Sequence, residues 1–181
     1  MNTARDRVID QFLVIRCQAG DQECLDLLTR RWQRRLWQYA RRLTGSDDAA
    51  WDVTQETWMA VVRQIRKLTD PAWFAAWVYR IVRNKAADYC RSVSRQGTLA
   101  ETVAGRQKAN DNPRQADSCD AVAEALWQLP ADSRELLTLR YGEDLNILEL
   151  AVVLGIPAGT VKSRLYHARE QLRQILKGDD L

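Results

Sequence analysis

Apolar positions recur at three- and four-residue spacing along most of the chain, which is the period of an amphipathic α-helix. Residues 22–43 carry one such stripe, made of Leu25, Leu28, Trp32, Leu36, Tyr39 and Leu43. Residues 48–68 carry another, made of Ala50, Thr54, Trp58, Val61, Ile65 and Leu68. A shorter stripe of the same kind lies in residues 5–19, at Val8, Phe12 and Ile15. The pattern predicts three helices in the first third of the chain.

Capping residues mark where these helices begin and end. Gly45 suits a left-handed C-cap, and Ser46 or Asp47 can cap the next helix. Asp70-Pro71 pairs a capping residue with proline at the first helical position. We expect it to open a helix through about Ser92, with Phe74, Trp77, Val78, Ile81 and Val82 inside.

The chain changes character after this helix. Residues 94–117 have few large apolar positions and no clear period, which predicts an extended linker between domains 1–93 and 118–181. The second domain begins with two short helices, one carrying Val122, Ala125, Leu126 and Leu129, the other Leu136, Leu137, Leu139 and Tyr141. Asn146 can cap a helix over 147–154, and a last helix over about 158–177 turns Val161, Leu165, Ala168 and Leu172 inward.

Composition agrees with an all-α fold of two small helical domains. The 181 residues include only 8 Gly and 4 Pro, and the net charge is +3. The charge is strongly sorted: residues 44–62 carry four acids and no base, whereas residues 160–177 carry five bases and one acid. Blocks of opposite sign imply more than one charged partner.

Several function classes find no support in the sequence. The four cysteines form no Cys-x-x-Cys pair and there is one histidine, so we expect no metal site and reduced, buried or half-buried thiols. There is no plausible nucleophile–base pair or phosphate-cradling loop, so we expect no catalytic residue and no cofactor. The charged N-terminus and the lack of a long apolar run predict a cytoplasmic protein without membrane insertion.

The segment from Leu150 to Leu165 has the pattern of a helix-turn-helix. An apolar helix ends at Gly155. Ala151 and Gly155 are small residues, which suit a close crossing of this helix with the next one. If the last helix buries Val161 and Leu165, its outer face holds Lys162, Ser163, Tyr166, His167 and Glu170, with Arg164, Arg169 and Arg173 beside it. Such a face suits the major groove and its phosphates. An ordinary amphipathic helix with a solvated basic face is the alternative.

The stretch from Leu129-Pro130 to Ala168-Arg169 resembles the fourth-region domain of the extracytoplasmic-function (ECF) sigma factors, which reads the −35 promoter element in that family. The resemblance implies −35 contacts by Thr160, Lys162, Ser163, Arg164, Tyr166, His167 and Arg169. His167 stands where the family often has arginine, which implies one weaker charged contact. Pro157 stands where many members have a capping serine, and proline in the first helical turn is an acceptable substitute.

The stretch Asp52-Val53-Thr54-Gln55-Glu56-Thr57-Trp58 resembles the core-binding helix of the second-region domain of the same family. Helical spacing puts Asp52, Gln55, Glu56 and Met59 on one exposed face. The resemblance implies that this face docks on the β′ clamp coiled coil of RNA polymerase. Ala49 and Trp51 stand where the family often carries acids, so the face is expected to be more apolar than usual.

The stretch from Phe74 to Tyr89 resembles the family's helix-loop-helix that opens the −10 element. The resemblance places Asn84 at a flipped-base contact, and basic side chains beside it attract the strand. The implied −10 set is Arg80, Arg83, Asn84, Lys85 and Arg91. Trp77 and Ile81 are expected to pack in the core.

These resemblances imply an ECF-type sigma factor that binds core RNA polymerase, at the β′ clamp helices and the β flap, and promoter DNA, both duplex and single-stranded. The resemblance also implies an anti-sigma factor as a partner. Two alternatives stay open: a stand-alone helix-turn-helix regulator of operator DNA, and a module that sequesters a protein partner. The arginine cluster, whose role the sequence does not decide, consists of Arg30, Arg31, Arg34, Arg35, Arg41 and Arg42.

Overall fold

A computed structural model describes residues 4–100 and 120–178 of the chain, and every regular element among them is helical. The described residues form two compact units, one on each side of the gap. The first unit contains α1 (Ala4–Gln18), α2 (Gln22–Thr44), α3 (Asp47–Gln64), 3₁₀ turns at Ile65–Lys67 and Pro71–Trp73, and α4 (Phe74–Ala100). The second contains α5 (Asp120–Gln128), α6 (Ala131–Leu137), a π-helical turn at Thr138–Gly142, α7 (Ile147–Leu154) and α8 (Ala158–Gly178). The predicted all-α fold is confirmed.

Aromatic side chains form the centre of the first unit. Trp32 of α2 meets the edge of Phe74 with ring centroids 5.3 Å apart, and Tyr79 of α4 lies edge-on to Tyr39 at 5.2 Å. All four rings are at most 1% exposed. Edge-to-face pairs of this kind contribute roughly 0.5–1.5 kcal/mol each beyond the area they bury. They hold α4 against α2, so the outer face of α4 is presented on a rigid support.

The helix ends follow the predicted capping residues in most places. Gly45 has φ +75° and its N–H donates to the Arg41 carbonyl at 2.9 Å, as a left-handed C-cap does. The Asp70 carboxylate accepts from the Ala72 N–H at 2.9 Å, although Pro71 then opens a 3₁₀ turn and not the α-helix itself. Ser46 occupies the N-cap position of α3 without a side-chain hydrogen bond.

The predicted inner face of α1 is wrong. Val8, Phe12 and Ile15 are all more than half exposed, and α1 instead buries Leu13, Val14 and Cys17. The sequence offers two apolar stripes on this short helix. The stripe that packs also contains the buried Asp10, whose carboxylate accepts from Arg31 Nε of α2 at 2.9 Å.

The fourth helix is longer than predicted. It runs to Ala100, eight residues past Ser92, so the extended linker expected from residue 94 begins inside a helix. Residues 93–100 contain no proline that would end the helix. The side chains of residues 93–95 are exposed, so this part of the helix has no buried face and its sequence shows no apolar period. The rest of the predicted linker, residues 101–117, lies outside the described residues.

In the second unit, Ala125 of α5 packs with leucines of the other helices, of the π-helical turn and of the residue that follows α5, including Leu129, Leu136, Leu139, Leu150 and Leu165. Two of the large side chains that were used to predict these helices are exposed: Val122 in the first turn of α5, and Tyr141 in the π-helical turn. A π-helical turn inserts an extra residue and so rotates the next side chains to a different face. That register change was not visible in the sequence.

Three cysteines are described, and all are free thiols. Cys17 is buried and Cys24 half-buried, as predicted, but Cys90 is exposed; Cys119 lies outside the described residues. Burial raises the pKa of the Cys17 thiol to about 11. In the described part of the chain, no helix is long and apolar enough to span a membrane.

Candidate functional site

The helix-turn-helix begins with a full capping box on α7. The Asn146 side chain accepts from the Leu148 and Glu149 N–H groups at 2.9 and 3.0 Å. In return, Glu149 Oε2 accepts from the Asn146 N–H at 2.6 Å. Glu149 is only 4% exposed, so its carboxylate is held by this geometry inside the unit. The box determines where α7 starts and therefore how α8 is presented.

The turn between α7 and α8 depends on Gly155. Its φ is +68°, and its N–H donates to the Ala151 carbonyl at 2.9 Å. The expectation of a close helix crossing at Gly155 is wrong, because an added Cβ would meet nothing within 4 Å. The requirement is the left-handed backbone itself. Pro157 lies one residue before α8, where its carbonyl accepts from the Val161 N–H at 3.0 Å.

The outer face of α8 carries most of the predicted −35 set. Val161, Leu165 and Ala168 are buried, as predicted, while Leu172 is half-buried. Six of the seven predicted contact residues are exposed, and Thr160 alone is half-buried: the exposed ones are Lys162, Ser163, Arg164, Tyr166, His167 and Arg169.

Two cations on this face are free to meet an anion. Lys162 and Arg164 have no acidic partner among the described residues of the second unit. Arg169 is partly held, because its Nε donates to the Leu165 carbonyl at 3.2 Å. Arg173 pairs with Glu170 at 2.8 Å, and this hydrogen bond lowers the pKa of the Glu170 carboxyl. The basic face is therefore concentrated in the first two turns of α8.

The predicted −10 residues all lie on α4, the single helix that was predicted to run through about Ser92, although the family motif that it resembles is a helix-loop-helix. Arg80, Asn84 and Arg91 are exposed and follow one another at i, i+4 and i+11, so they share an outer face. Arg91 pairs with Asp88 on the same face. Trp77 and Ile81 are half-buried; the Trp77 ring packs against Phe74, with centroids 6.1 Å apart.

Two members of the set stand apart from that face. Arg83 is half-buried and already has an interaction partner. Lys85 lies on the side of α4 that faces α3, where its Nζ is 2.9 Å from Glu56 Oε2. The structure therefore brings together one residue predicted to contact DNA and one predicted to contact the polymerase. It does not add Lys85 to the Arg80–Asn84–Arg91 face.

The outer face of α3 has the predicted composition. Asp52, Gln55, Glu56 and Met59 are all exposed. Asp52 and Gln55 have no polar side-chain partner among the described residues, whereas Glu56 pairs with Lys85. The four side chains thus form an acidic and polar surface with one apolar position.

Trp51 adds the apolar character that was predicted for this face, whereas Ala49 is buried and contributes nothing to it, and Val62 was not predicted. Trp51 and Val62 of α3 are 53% and 56% exposed. They extend the α3 face along its length, because Trp51, Gln55, Met59 and Val62 succeed one another at three- and four-residue spacing. The departure from the family pattern predicted Trp51, and the three-residue spacing from Met59 was the signal that could have shown Val62.

The structure also sorts the arginine cluster. Arg31 binds Asp6 and Asp10 on α1, Arg35 lies over the Trp32 ring at 4.4 Å, and Arg41 pairs with Asp47. Arg31 and Arg41 thus link α2 to α1 and α3, whereas the contact of Arg35 with Trp32 lies within α2. Arg30 and Arg34 have no such role, and with Gln33, Trp37 and Trp51 they line an open groove between α2 and the start of α3.

Two known families match the chain. Sigma-70 region 2 matches residues 28–96, from within α2 to within α4. Sigma-70, region 4 matches residues 119–172, which include α5 to α7 and most of α8. The order of the two regions is the one predicted from the motifs.

Full-length relatives agree with these matches. The ECF RNA polymerase sigma-E factor of Salmonella typhimurium is 30% identical over 180 residues, covering 92% of this chain and 94% of that protein. The RNA polymerase sigma-H factor of Pseudomonas aeruginosa is 32% identical over 181 residues, covering 93% and 94%. The solved structure of the sigma factor RpoE in complex with the anti-sigma factor NepR from Bartonella quintana superposes with a TM-score of 0.67 at 25% identity, covering 84% of this chain and 96% of that one.

Proposed function

This chain belongs to the ECF sigma factors, which direct RNA polymerase to promoters, and we propose that three of its helices divide that task among them. The observation that carries the proposal is the sorting of charge between α3 and α8. The outer face of α3 exposes two acids, Asp52 and Glu56, and the outer face of α8 exposes the unpaired cations Lys162 and Arg164. One face suits a basic protein helix, and the other suits a polyanion.

In this proposal α8 reads the −35 duplex from the major groove. Lys162 and Ser163 meet base edges or the adjacent phosphates, and Tyr166 and His167 offer ring edges and polar atoms to the bases further along. Thr160, Arg164 and Arg169 contact the backbone on either side, which sets the register but carries no sequence information. The capping box at Asn146 and the turn at Gly155 hold α8 at the required angle.

The outer face of α4 binds the separated strand of the −10 element. Asn84 carries both a donor and an acceptor and stands exposed between Arg80 and Arg91, which attract the backbone on either side of it. An amide so placed suits the hydrogen-bonding edge of a base turned out of the stack. Arg83 and Lys85 contribute to the electrostatic field of this region more than to the contact itself.

The outer face of α3 docks on core RNA polymerase. Asp52, Gln55 and Glu56 provide acceptors for a basic partner helix, and Met59 provides an apolar contact at the centre. We assign the β′ clamp helices as this partner and the β flap as a partner of the second unit. The domain roles are then residues 1–93 for core binding and −10 melting, 94–117 as connection, and 118–181 for −35 recognition.

An anti-sigma factor is the remaining partner that we propose, since the similar sigma factor RpoE was solved in complex with one. We place the protein in the cytoplasm, where RNA polymerase and the chromosome are. We attribute no reaction of its own to it, because sigma factors act as initiation factors of the polymerase. A stand-alone operator-binding regulator and a sequestering module are not favoured by the family match.

Core-polymerase binding tests the assignment of α3. Wild-type protein, Asp52→Lys and Glu124→Lys are each mixed with core RNA polymerase and resolved by size exclusion. Asp52 and Glu124 are both exposed acids on helices, so the two variants carry the same change of charge in different units. We expect co-elution of wild type and Glu124→Lys and its loss in Asp52→Lys. Co-elution of all three would refute the α3 assignment.

The −10 assignment has its own test. Holoenzyme formed with Asn84→Ala is compared with Ala87→Ser holoenzyme, since Ala87 is also exposed on α4 but is not assigned to the site. Promoter opening is followed with a fluorescent base analogue in the −10 element. We expect slower and less complete opening with Asn84→Ala alone; equal opening by both would contradict the assignment.

A further inference from the structure

His167 lies on the outer face of α8 and is the only histidine of the chain. Its side chain is exposed, and its ring meets the Tyr166 ring edge-on with 5.5 Å between centroids. Helical spacing places Ser163 one turn before it and Glu170 one turn after it on the same face. A ring that can gain a proton therefore stands within the surface that we assign to the −35 duplex.

Histidine differs from the cations around it because its charge changes within the ordinary range of pH. Imidazole ordinarily exchanges its proton between about pH 5 and pH 8, whereas lysine and arginine stay charged throughout that range. The neutral ring has one N–H donor and one acceptor nitrogen, and the charged ring has two donors. The acceptors that DNA presents in and beside the major groove include phosphate oxygens and the N7 and O6 atoms of guanine. Only the charged ring offers them a charge-assisted hydrogen bond.

The charges next to His167 on α8 leave its ring without an acidic partner. The Glu170 carboxylate is taken by Arg173, at 2.8 Å. Arg164, one turn towards the N-terminus of α8, has no ion pair among the described residues of the second unit. No ion pair joins His167 to an acid in the part of the chain that the structure describes. A proton on His167 is therefore balanced from outside the unit, as the charge of Arg164 is.

Three helices pack against α8, and their charges bear on His167 as well. The described charged side chains on α5, α6 and α7 are Glu124, Asp132, Arg134, Glu135 and Glu149. Glu149 is held by the capping box, and Arg134 lies over the Trp127 ring at 4.5 Å. The Ser133 hydroxyl donates to Gln171 Oε1 at 3.0 Å, so α6 reaches α8 one turn beyond His167. Asp132 directly precedes Ser133, and its charge is the one that a test has to control for.

We propose that His167 makes −35 recognition by this chain depend on pH. In its charged form the ring donates to an acceptor of the −35 duplex, and in its neutral form that contact is lost. The inference rests on the proposed role of α8 and adds a regulation of the same site. A group that binds DNA in its charged form gives affinity that is present at low pH and is lost as the pH rises through the range of histidine. An arginine in its place would keep the contact throughout.

Holoenzymes formed with wild-type protein, His167→Gln and His167→Arg test the inference by equilibrium binding to a labelled promoter duplex that carries the −35 element. Each is titrated at about pH 6 and about pH 8, at several salt concentrations. Pairwise ratios remove the effects of pH on core polymerase and DNA. We expect wild type to bind roughly three- to tenfold more tightly than His167→Gln at the lower pH and about equally at the higher pH. His167→Arg should bind tightly at both.

The salt dependence gives a second readout. The slope of log K against log salt concentration should be steeper by about one for wild type than for His167→Gln at the lower pH, and the two slopes should agree at the higher pH. Asp132→Asn should leave the ratio of wild type to His167→Gln unchanged when it is added to both. A pH dependence that vanished with Asp132→Asn would belong to that acid, and the inference would be wrong.

Lys162→Ala, measured in the same way, separates this inference from the assignment of α8. A ratio of wild type to His167→Gln that does not change with pH, while Lys162→Ala binds more weakly, would refute the role of His167 and leave the α8 assignment intact. Wild-type affinity in both variants would refute both. If the inference holds, an equal pH dependence on a duplex with a scrambled −35 element identifies phosphate as the acceptor, and a dependence confined to the −35 sequence identifies a base edge.

Discussion

Lys85 of α4 and Glu56 of α3 form an ion pair with 2.9 Å between Nζ and Oε2. Glu56 belongs to the face that we assign to the polymerase, and Lys85 to the region near the −10 strand. Both side chains are more than a third exposed, so the pair contributes little to folding, about 0–1 kcal/mol. Its consequence is functional, because a basic polymerase side chain that binds Glu56 competes with Lys85.

We therefore expect Lys85→Gln to bind core polymerase slightly more tightly than wild type, by roughly two- to threefold, since the internal competitor is gone. Glu56→Gln should bind more weakly, and neither variant should shift the thermal midpoint appreciably. Equilibrium titration with core polymerase and a thermal melt measure both effects. Weaker core binding by Lys85→Gln would show that Lys85 itself contacts the polymerase.

Lys162 is expected to supply one phosphate or base contact in the −35 duplex. Lys162→Ala should weaken holoenzyme binding to a −35 duplex and reduce the slope of log K against log salt concentration by about one. Lys177→Ala is the matched control, because it removes the same charge from the far end of α8, about four turns away. An unchanged salt slope in Lys162→Ala would place this lysine outside the interface.

The Asn146 capping box makes a separate prediction for stability. Asn146→Ala should lower the free energy of unfolding of the second unit by about 1 kcal/mol, because two backbone N–H groups lose their acceptor. Ser46→Ala is the control, since Ser46 also occupies an N-cap but makes no side-chain hydrogen bond there. Urea unfolding followed by circular dichroism compares them. Equal losses in the two variants would mean that the box contributes nothing.

Asp21 predicts a dependence of stability on acid. The backbone N–H of Cys24, and then Arg16, hold the pKa of the Asp21 carboxyl down at about 2, against an ordinary value of 3.8. A lowered pKa in the folded state gives stability that is complete above the ordinary value and is lost as the pH falls towards 2. Asp21→Asn keeps an acceptor for the cap but loses the charge.

The difference in unfolding free energy between wild type and Asp21→Asn should thus be constant between about pH 5 and pH 7 and shrink below about pH 4. Chemical unfolding at a series of pH values measures it. A difference that stays constant down to about pH 3 would exclude the charge of Asp21 as its source.

The sequence by itself determined where the amphipathic helices lie, that is, the helices with one buried and one exposed face. The stripes of α2 and α3, the left-handed end at Gly45 and the cap at Asn146 were all predicted, because each depends on neighbours within one or two turns. The exposed faces of α3 and α8 came from the same periodicity. The motif order also identified the family, since short segments carry it.

Tertiary structure decided what depends on residues far apart in the chain. Both stripes of α1 satisfied helical spacing, and only packing against the other helices of the unit decided that Leu13, Val14 and Cys17 form the buried one. The sequence groups Lys85 with the other basic residues of the −10 set. In the structure α4 packs beside α3, and Lys85 forms an ion pair with Glu56. Arg30 and Arg34 were indistinguishable from the other arginines until packing gave Arg31, Arg35 and Arg41 partners and set these two beside Trp51. A local period orients a side chain on its own helix, but its partner is set by how helices pack.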